Sequence, residues 1–317
     1  MPAEFRLSDR PTPIVQAGMG AVARHELAAA VSEAGGLGTI AGAQAPIAEM
    51  LAAARRLTDK PIAVNLLLPF VRPGDVEAAS DADVLVTFWG VPRRLAAGYW
   101  IHQCGSVDEA RAAVAAGADA VIAQGVEAGG HVRGSTPLLD LLEQTIAAVR
   151  VPVLAAGGIC DVDGVKAVLD AGAVAAVAGT RFLLSDESHA HPEYKRRCLD
   201  ASETIVTELF GMAWPDASHR VIPNAATRRW TRSDERGPGW LRAANRVSAP
   251  LAARASPGLQ ARALRTQRAS RPFFGPQPPT DDGPENLLDA GPLYAGMNVT
   301  RITDIRPAAE LVRALTP

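Results

Sequence analysis

Short apolar runs alternate with alanine-rich amphipathic segments along the first part of the chain. The apolar runs predict buried β-strands, and they cover residues 13–16, 38–41, 62–66, 84–88, 99–103, 120–124, 152–156 and 175–179. The amphipathic segments predict helices, and the main ones cover residues 25–34, 46–57, 74–80, 106–116, 138–149, 161–171 and 192–201. Strands that alternate with helices pair in parallel, because each helix carries the chain back to the starting edge of the sheet.

Eight such alternations predict an α/β protein with a closed (β/α)8 TIM barrel rather than an open doubly wound sheet. The pattern changes after residue 201, so we expect the barrel at residues 1–201 and a smaller C-terminal subdomain covering the substrate at residues 202–290. That subdomain contains an arginine- and proline-rich stretch at 228–284, in which a helix is predicted at 251–266. The last segment, 291–317, ends in a predicted amphipathic helix at 307–315 that docks onto the rest.

The loop after the sixth predicted strand carries the first candidate chemistry. Four glycines, at 125, 129, 130 and 134, surround His131. Glycines let a backbone approach a ligand closely, and histidine is the side chain that exchanges a proton near neutral pH. A glycine-rich turn with a solvated histidine is the alternative. The fold favours an active site, because the strands of a TIM barrel converge at their carboxyl ends.

Two further loops predict a phosphate site. Gly157 and Gly158 follow the seventh predicted strand, and Gly179 and Thr180 follow the eighth. In a TIM barrel these loops commonly bind phosphate through backbone N–H groups, and Asp161 is placed to cap the next helix. The alternative is that the glycines only form tight turns. No dinucleotide-binding G-x-G-x-x-G follows a first strand, so a phosphate-bearing cofactor of another type is favoured.

Composition limits the partners. The formal net charge is −2, which offers no general attraction for nucleic acid or an anionic membrane, so we expect a small-molecule substrate. Three scattered cysteines suit a reducing compartment. Residues 1–6 contain no apolar core of a signal peptide, and no apolar run in the sequence is long enough to span a membrane. A cytoplasmic location follows as an expectation. We assign no metal, because His189 and His191 lack the spacing of a helical ligand pair.

Five motifs together resemble one enzyme family. They are Q-A-G-M at 16–19, A-G-G-L-G at 34–38, Q-G-V-E-A-G-G-H at 124–131, A-A-G-G-I at 155–159 and G-T-R-F at 179–182, and Asn65 accompanies them. This combination resembles the nitronate monooxygenases, formerly called 2-nitropropane dioxygenases, over residues 11–225 and more weakly over 291–315. The family consists of FMN-dependent barrel enzymes, and the flavin-dependent enoyl-ACP reductases share most of the motifs.

The resemblance implies an FMN site and a catalytic residue. The phosphate is expected on Gly157, Gly158, Gly179 and Thr180, and His131 is expected to face the substrate over the flavin, either as a general base or as a group that orients an anionic nitronate. The full set of expected FMN-binding residues is Ala17, Gly18, Met19, Asn65, Gln124, Gly129, Gly130, Gly157, Gly158, Gly179 and Thr180.

The resemblance favours oxidation of alkyl nitronates, or of a related stabilised carbanion, by O2. An NAD(P)H-dependent reductase of the enoyl-ACP type and a flavin-binding barrel without catalysis are the alternatives. The oligomeric state is left open, with a homodimer among the options.

The chain between Trp89 and Ile101 is shorter than the family suggests and leaves room for one helical turn near 93–97, so the barrel wall is expected to be incomplete there. Trp89, Trp214 and Trp230 are candidates for an apolar pocket or for core packing. Glu127 is expected to pair with Arg133 rather than to act as a catalytic acid.

Overall fold

A computed structural model describes residues 5–42, 46–253, 255 and 257–317. Nine strands lie in its first part: β1 (Ile14–Gln16), β2 (Gly38–Ala41), β3 (Ile62–Leu67), β4 (Val84–Phe88), β5 (Tyr99–Cys104), β6 (Ala120–Gln124), the short β7 (Gly130–His131), β8 (Val153–Ala156) and β9 (Ala175–Ala178). All except β7 form one parallel sheet in the order β1-β9-β8-β6-β5-β4-β3-β2.

The sheet closes on itself. The backbone N–H of Gln16 donates to Leu37, and the N–H of Leu37 donates to Ile14, at N···O distances of 3.0 and 2.9 Å. These bonds join β1 to the residue that precedes β2, so the two ends of the strand order meet. The predicted TIM barrel is therefore confirmed, and all eight predicted barrel strands are present.

Helices surround the barrel: α1 (His25–Glu33), α2 (Ile47–Leu57), α3 (Pro73–Ala79), α4 (Val107–Ala115), α5 (Leu138–Ala148), α6 (Val162–Asp170), α7 (Thr180–Leu183) and α8 (Pro192–Leu199). Two of them begin at side-chain caps, since Ser106 accepts from Glu109 N–H and Asp161 accepts from Gly164 N–H. Apolar side chains fill both the barrel interior and the layer between barrel and helices, so the strand ends form a rigid platform.

The connection from β4 to β5 differs from the prediction. Residues 89–98 are all described and contain no helix, so the helical turn predicted near 93–97 is wrong. Trp89, Gly90 and Gly98 have φ values of 66°, 83° and 104°, which no helical residue adopts. Arg94 spans the gap instead and donates to the Gly98 carbonyl at 2.8 Å and to the Asp119 carboxylate at 2.9 Å.

The remaining elements are β10 (Ile205–Thr207), β11 (His219–Val221), α9 (Ala225–Trp230), α10 (Gly239–Ala253), α11 (Pro257–Thr266), α12 (Leu287–Ala290) and α13 (Ala308–Leu315), with short 3-10 helices at Leu7–Asp9, Gly20–Val22, Leu68–Phe70 and Met297–Arg301. β11 pairs with both β10 and β7 in a small antiparallel sheet. The helix predicted at 251–266 corresponds to the end of α10 and to α11, and residues 254 and 256 between them lie outside the described residues, as do residues 1–4 of the N-terminal segment.

Helix α13 forms as predicted and packs on the barrel layer, where Leu311, Val312 and Leu315 are buried. A separate apolar cluster around Leu209, Phe210 and Phe274 stabilises the part of the chain after β10. Within the described residues, no helix combines the length and the hydropathy needed to cross a bilayer.

Candidate active site

A cavity of about 680 Å³ lies at the carboxyl ends of the barrel strands. It brings together every residue that the sequence predicts to be FMN-binding or catalytic, although these residues span much of the chain. Its lining includes Ala17, Gly18, Met19, Asn65, Gln124, Gly129, Gly130, His131, Gly157, Gly158, Gly179 and Thr180. The large concave pocket at this end of the barrel is the place where such folds bind their ligands.

Two neighbouring segments hold the backbone of His131. Strand β7 pairs with β11, which places His131 opposite His219. The side-chain amide of Gln124 donates to the His131 carbonyl at 2.9 Å and accepts from the Arg133 N–H at 3.1 Å. Gln124 therefore lines the cavity while its amide fixes the histidine loop to the end of β6.

Aromatic rings enclose the imidazole of His131. The indole of Trp214 stacks on it at 3.8 Å between ring centroids, and the rings of Trp89, His219 and Tyr294 lie 5.3 to 6.1 Å away. Burial among these rings, with a smaller contribution from His219, holds the pKa of His131 well below its ordinary value. The imidazole is thus neutral at neutral pH and can accept a proton.

Backbone strain concentrates at this aromatic cluster. Among the described residues, the non-glycine positions with positive φ are Trp89, Ala213 and Asp216, at 66°, 67° and 58°. One of them is a tryptophan beside His131, and the other two flank Trp214. Left-handed conformations of such residues persist only where their surroundings enforce them, and they gather at functional sites. The Arg246 guanidinium of α10 binds the Asp216 carboxylate at 2.6 and 2.9 Å and so holds the Trp214 loop.

Glycines form a cradle next to the histidine. Gly157 and Gly158 have φ values of 131° and 67°, which suit glycine. At Gly179 a Cβ would lie 3.8 Å from Ala17 Cβ and from Met19 Sδ. These are ordinary van der Waals contacts, so the space beside this glycine has room for little more than a methyl group. Asp161 caps α6 as predicted. The cradle is continuous with the cavity and has the open backbone that a bound phosphate needs.

The C-terminal segment completes the cradle, which the sequence did not predict. The Asn298 amide donates to the Gly158 carbonyl at 2.7 Å, and the Gly296 N–H donates to the Thr180 hydroxyl oxygen at 2.9 Å. Tyr294 also lines the cavity. The one signal for these residues was the weak family resemblance over 291–315.

A close contact joins two predicted residues near the first strand. A Cβ on Gly18 would lie only 2.6 Å from Asn65 Cβ, so Gly18 must be glycine for Asn65 to occupy its place. The Asn65 amide donates to the Val86 carbonyl at 3.4 Å. The two residues therefore form one continuous wall of the cavity.

Several other titratable and aromatic residues near the strand ends stabilise the fold. Both carboxylate oxygens of Glu127 accept from the Leu138 N–H, and Arg133 pairs with Glu109 at 2.6 Å, so the expected pair of Glu127 and Arg133 does not form. His102 lies outside the cavity lining, bonds the Thr87 hydroxyl at 2.7 Å, and burial lowers its pKa to about 4. Of the three candidate tryptophans, only Trp214 lines the cavity. Trp89 contacts the His131 ring without lining the cavity, and Trp230 lies outside the cavity and donates to the Ala269 carbonyl.

The fold and the cavity define an α/β-barrel protein with a ligand-sized cavity in the loops after its strands. The profile of the nitronate monooxygenase family matches residues 5–96 and 91–317. The chain therefore belongs to the nitronate monooxygenase family, whose members are flavin-dependent oxidoreductases. The two matched segments meet at the shortened connection between β4 and β5.

Solved structures and a curated relative agree with this assignment. FabK from Thermotoga maritima is similar with a TM-score of 0.74 and 29% identity, over 98% of this chain and 93% of that one. A nitroalkane oxidase from Streptomyces ansochromogenes has a TM-score of 0.72 and 31% identity, over 96% and 95%. A (3aS,4S,5R,7aS)-5-hydroxy-7a-methyl-1-oxo-octahydro-1H-indene-4-carboxyl-CoA dehydrogenase from Mycobacterium tuberculosis is 37% identical over 227 residues, 66% of this chain and 62% of the relative. The chain thus spans less than two thirds of that relative's length.

Proposed function

We propose that this chain binds FMN and oxidises alkyl nitronates, or a related stabilised carbanion, with O2. The observation that carries the proposal is the position of His131, which lines the same cavity as the glycine cradle of Gly157, Gly158 and Gly179. A proton acceptor beside a phosphate-binding cradle suits a flavin enzyme that acts on a carbon acid.

The cradle suits the phosphate of FMN. Its glycines leave the backbone open, and the bonds of Asn298 and Gly296 hold the two loops in place. Ala17, Gly18, Met19, Asn65, Gln124, Gly129 and Gly130 line the rest of the cavity and would hold the isoalloxazine. When bound, the flavin would supply the redox chemistry, as acceptor of the substrate's electrons and their donor to O2.

When the substrate arrives as a neutral nitroalkane, His131 takes up the proton of the carbon next to the nitro group, which leaves the nitronate that is then oxidised. Neither ring nitrogen has a protein hydrogen-bond partner among the described residues, so the ring is available to the substrate. Its low pKa keeps it in the form that accepts a proton, which favours the general base over a cation that orients a nitronate. The part of the chain at 202–290 covers the substrate through Trp214.

Oxygen uptake with two substrate forms tests this assignment. We expect His131→Asn to lower kcat/KM for a neutral nitroalkane by at least about a hundredfold, the usual contribution of a general base. Preformed nitronate needs no deprotonation, so its oxidation should fall far less. His25→Gln, a change on the partly exposed start of α1, is the control and should match the parent protein. An equal loss for both forms would contradict the general base.

A second candidate is an NAD(P)H-dependent flavin reductase of the enoyl-ACP type. The similarity to FabK over 98% of this chain favours it, as does the CoA-ester dehydrogenase named among the relatives. The two functions differ in the electron donor. Rapid anaerobic reduction of the bound flavin by NAD(P)H would support the reductase, and reduction by a nitronate would support the monooxygenase.

A further inference from the structure

The cavity does not end at His131. Its lining also includes Trp214, residues of α11 and residues 275–278, and this part of the cavity is here called the apolar arm. The arm is lined by Met212, Trp214, Leu259, Leu264, Pro276, Gln277 and Pro278, and the Gln277 amide and the Trp214 indole N–H are the polar groups among these side chains. None of these side chains carries a charge or an ionisable group.

Hydrogen bonds within the protein tie the arm's walls together. The Gln267 side chain accepts from the Gly275 N–H at 3.0 Å and donates to the Ala290 carbonyl at 2.5 Å. The Asn286 amide donates to the Leu264 carbonyl at 2.9 Å, and the Tyr294 hydroxyl donates to the Pro276 carbonyl at 2.8 Å. These polar groups are satisfied by the chain itself, so the arm offers mainly apolar surface to a ligand.

The arm leads from the cavity to solvent at Leu259. A Cβ on Gly275 would lie 3.5 Å from Met212 Cε and 3.6 Å from Leu264 Cδ2, so these residues meet at its inner part. Leu259 is 58% exposed and marks the outer end. A substituent that extends from a carbon beside His131 can follow the arm toward solvent.

From this geometry we infer, on the basis of the proposed function, that the substrate is a nitronate with a hydrocarbon substituent of several carbons or a ring. A nitronate of two or three carbons leaves the arm without a ligand. Each methylene that enters the arm should raise kcat/KM roughly fourfold, which is the gain from moving one methylene out of water. The increase should level off once the arm is filled.

A chain-length series on the flavin-loaded protein tests the inference. Oxygen uptake is measured with primary alkyl nitronates from ethyl to decyl, on the parent protein, on Gly275→Leu and on Gly258→Leu. Gly275 lies outside the left-handed region and a Cβ there makes only ordinary contacts of 3.5 to 3.6 Å, so the backbone accepts a side chain and a leucine would extend among the residues that line the arm. Gly258 is the matched control in the same part of the chain, because nothing lies within 4 Å of a Cβ at that position.

We expect kcat/KM to rise with chain length in the parent protein and in Gly258→Leu. In Gly275→Leu the ethyl compound should react as before, while the advantage of the longer chains should disappear. A flat series in the parent protein, or an unchanged series in Gly275→Leu, would overturn the inference.

Binding without chemistry separates the arm from the proposed function. Association of 1-alkanols from butanol to decanol is followed through tryptophan fluorescence, since Trp214 lines the arm. Affinity should rise roughly fourfold per methylene in the parent protein and not in Gly275→Leu. If no nitronate reacts but the affinity for alkanols rises with chain length, the proposed function is wrong and the arm is still a hydrocarbon-binding site. If the affinity does not depend on chain length, the inference about the arm is wrong.

Discussion

The indole of Trp214 lies parallel to the imidazole of His131, with 3.8 Å between ring centroids and 19° between ring planes. The stack covers one face of the ring that we propose as the base. It therefore does two things, since it fixes the orientation of the imidazole and keeps water from that face. The left-handed Ala213 and Asp216 on either side of Trp214 show that the loop is shaped to present the indole there.

Removing the indole of Trp214 should restore part of the ordinary basicity of His131. In Trp214→Ala, water reaches the imidazole and stabilises its cation, so the pKa of His131 should rise toward 6.5. The acidic limb of kcat/KM should move to higher pH with it. Titration of the His131 ring C–H signal by NMR measures the pKa directly and requires no turnover.

Trp214→Phe is the matched control for this change. A phenyl ring can stack in the same place, so the pKa of His131 and the pH profile should stay close to those of the parent protein. If Trp214→Ala leaves the pKa of His131 unchanged, the stack does not control the proton affinity of the base.

Gln124 should be a positioning residue for His131. Gln124→Leu removes two partly buried hydrogen bonds and leaves the His131 carbonyl and the Arg133 N–H without these partners. We expect a loss of about 2 kcal/mol in the free energy of unfolding, and a fall in kcat with little change in KM, because the base is displaced while the cavity remains. Urea unfolding and steady-state kinetics provide both values. An unaltered kcat in a folded variant would show that the clamp is not needed.

The glycine cradle predicts a variant that folds but binds flavin poorly. At Gly179, φ is −102° and a Cβ would make only ordinary contacts, so Gly179→Ala should keep the stability of the protein without ligand. The added methyl occupies the cradle, and we expect the Kd for FMN to rise at least about tenfold. Gly74→Ala in α3, where a Cβ meets nothing within 4 Å, is the control. Equal FMN affinity in both variants would place the phosphate elsewhere.

Buried histidines should make the protein sensitive to mild acid. Burial lowers the pKa of both His102 and His219 to about 4, against 6.5 for the free side chain. The unfolded chain therefore binds more protons below pH 6.5, so stability is complete above that pH and declines as the pH falls toward 4. Between pH 7 and pH 5 each histidine should account for roughly 2 kcal/mol.

Urea unfolding at these two pH values measures that loss. Because the pKa of His131 is also lowered, three buried histidines contribute, and His102→Gln should remove about a third of the loss, whatever its effect on stability at pH 7, since glutamine does not titrate. Equal unfolding free energies at pH 7 and pH 5 in the parent protein would contradict the assigned pKa shifts.

The barrel could be predicted because each of its strands is a local signal. A run such as Ala120–Gln124 is apolar on both faces, and the helix that follows each strand reveals the parallel pairing. The absence of a helix between β4 and β5 could be predicted only in part. The short connection could be counted, but the guanidinium of Arg94, which bridges Gly98 and Asp119, is a contact that no periodicity shows.

The site followed from the fold, since parallel strands bring the residues after them to one edge. His131 and the glycines of the cradle were found in this way. Asn298 and Tyr294 were not, because they reach the cavity from the far end of the chain through segments without a strand or helix pattern. Gln124 was placed in the site, but its bond to the His131 carbonyl depends on a loop path that the sequence does not specify.

The most direct test is the visible spectrum of the flavin-loaded protein under anaerobic conditions, with a nitronate and NAD(P)H added separately. We predict that the nitronate bleaches the flavin absorbance and that NAD(P)H scarcely changes it. Bleaching by NAD(P)H, with no response to nitronates of any chain length, would contradict the proposed monooxygenase and assign this barrel to the reductases.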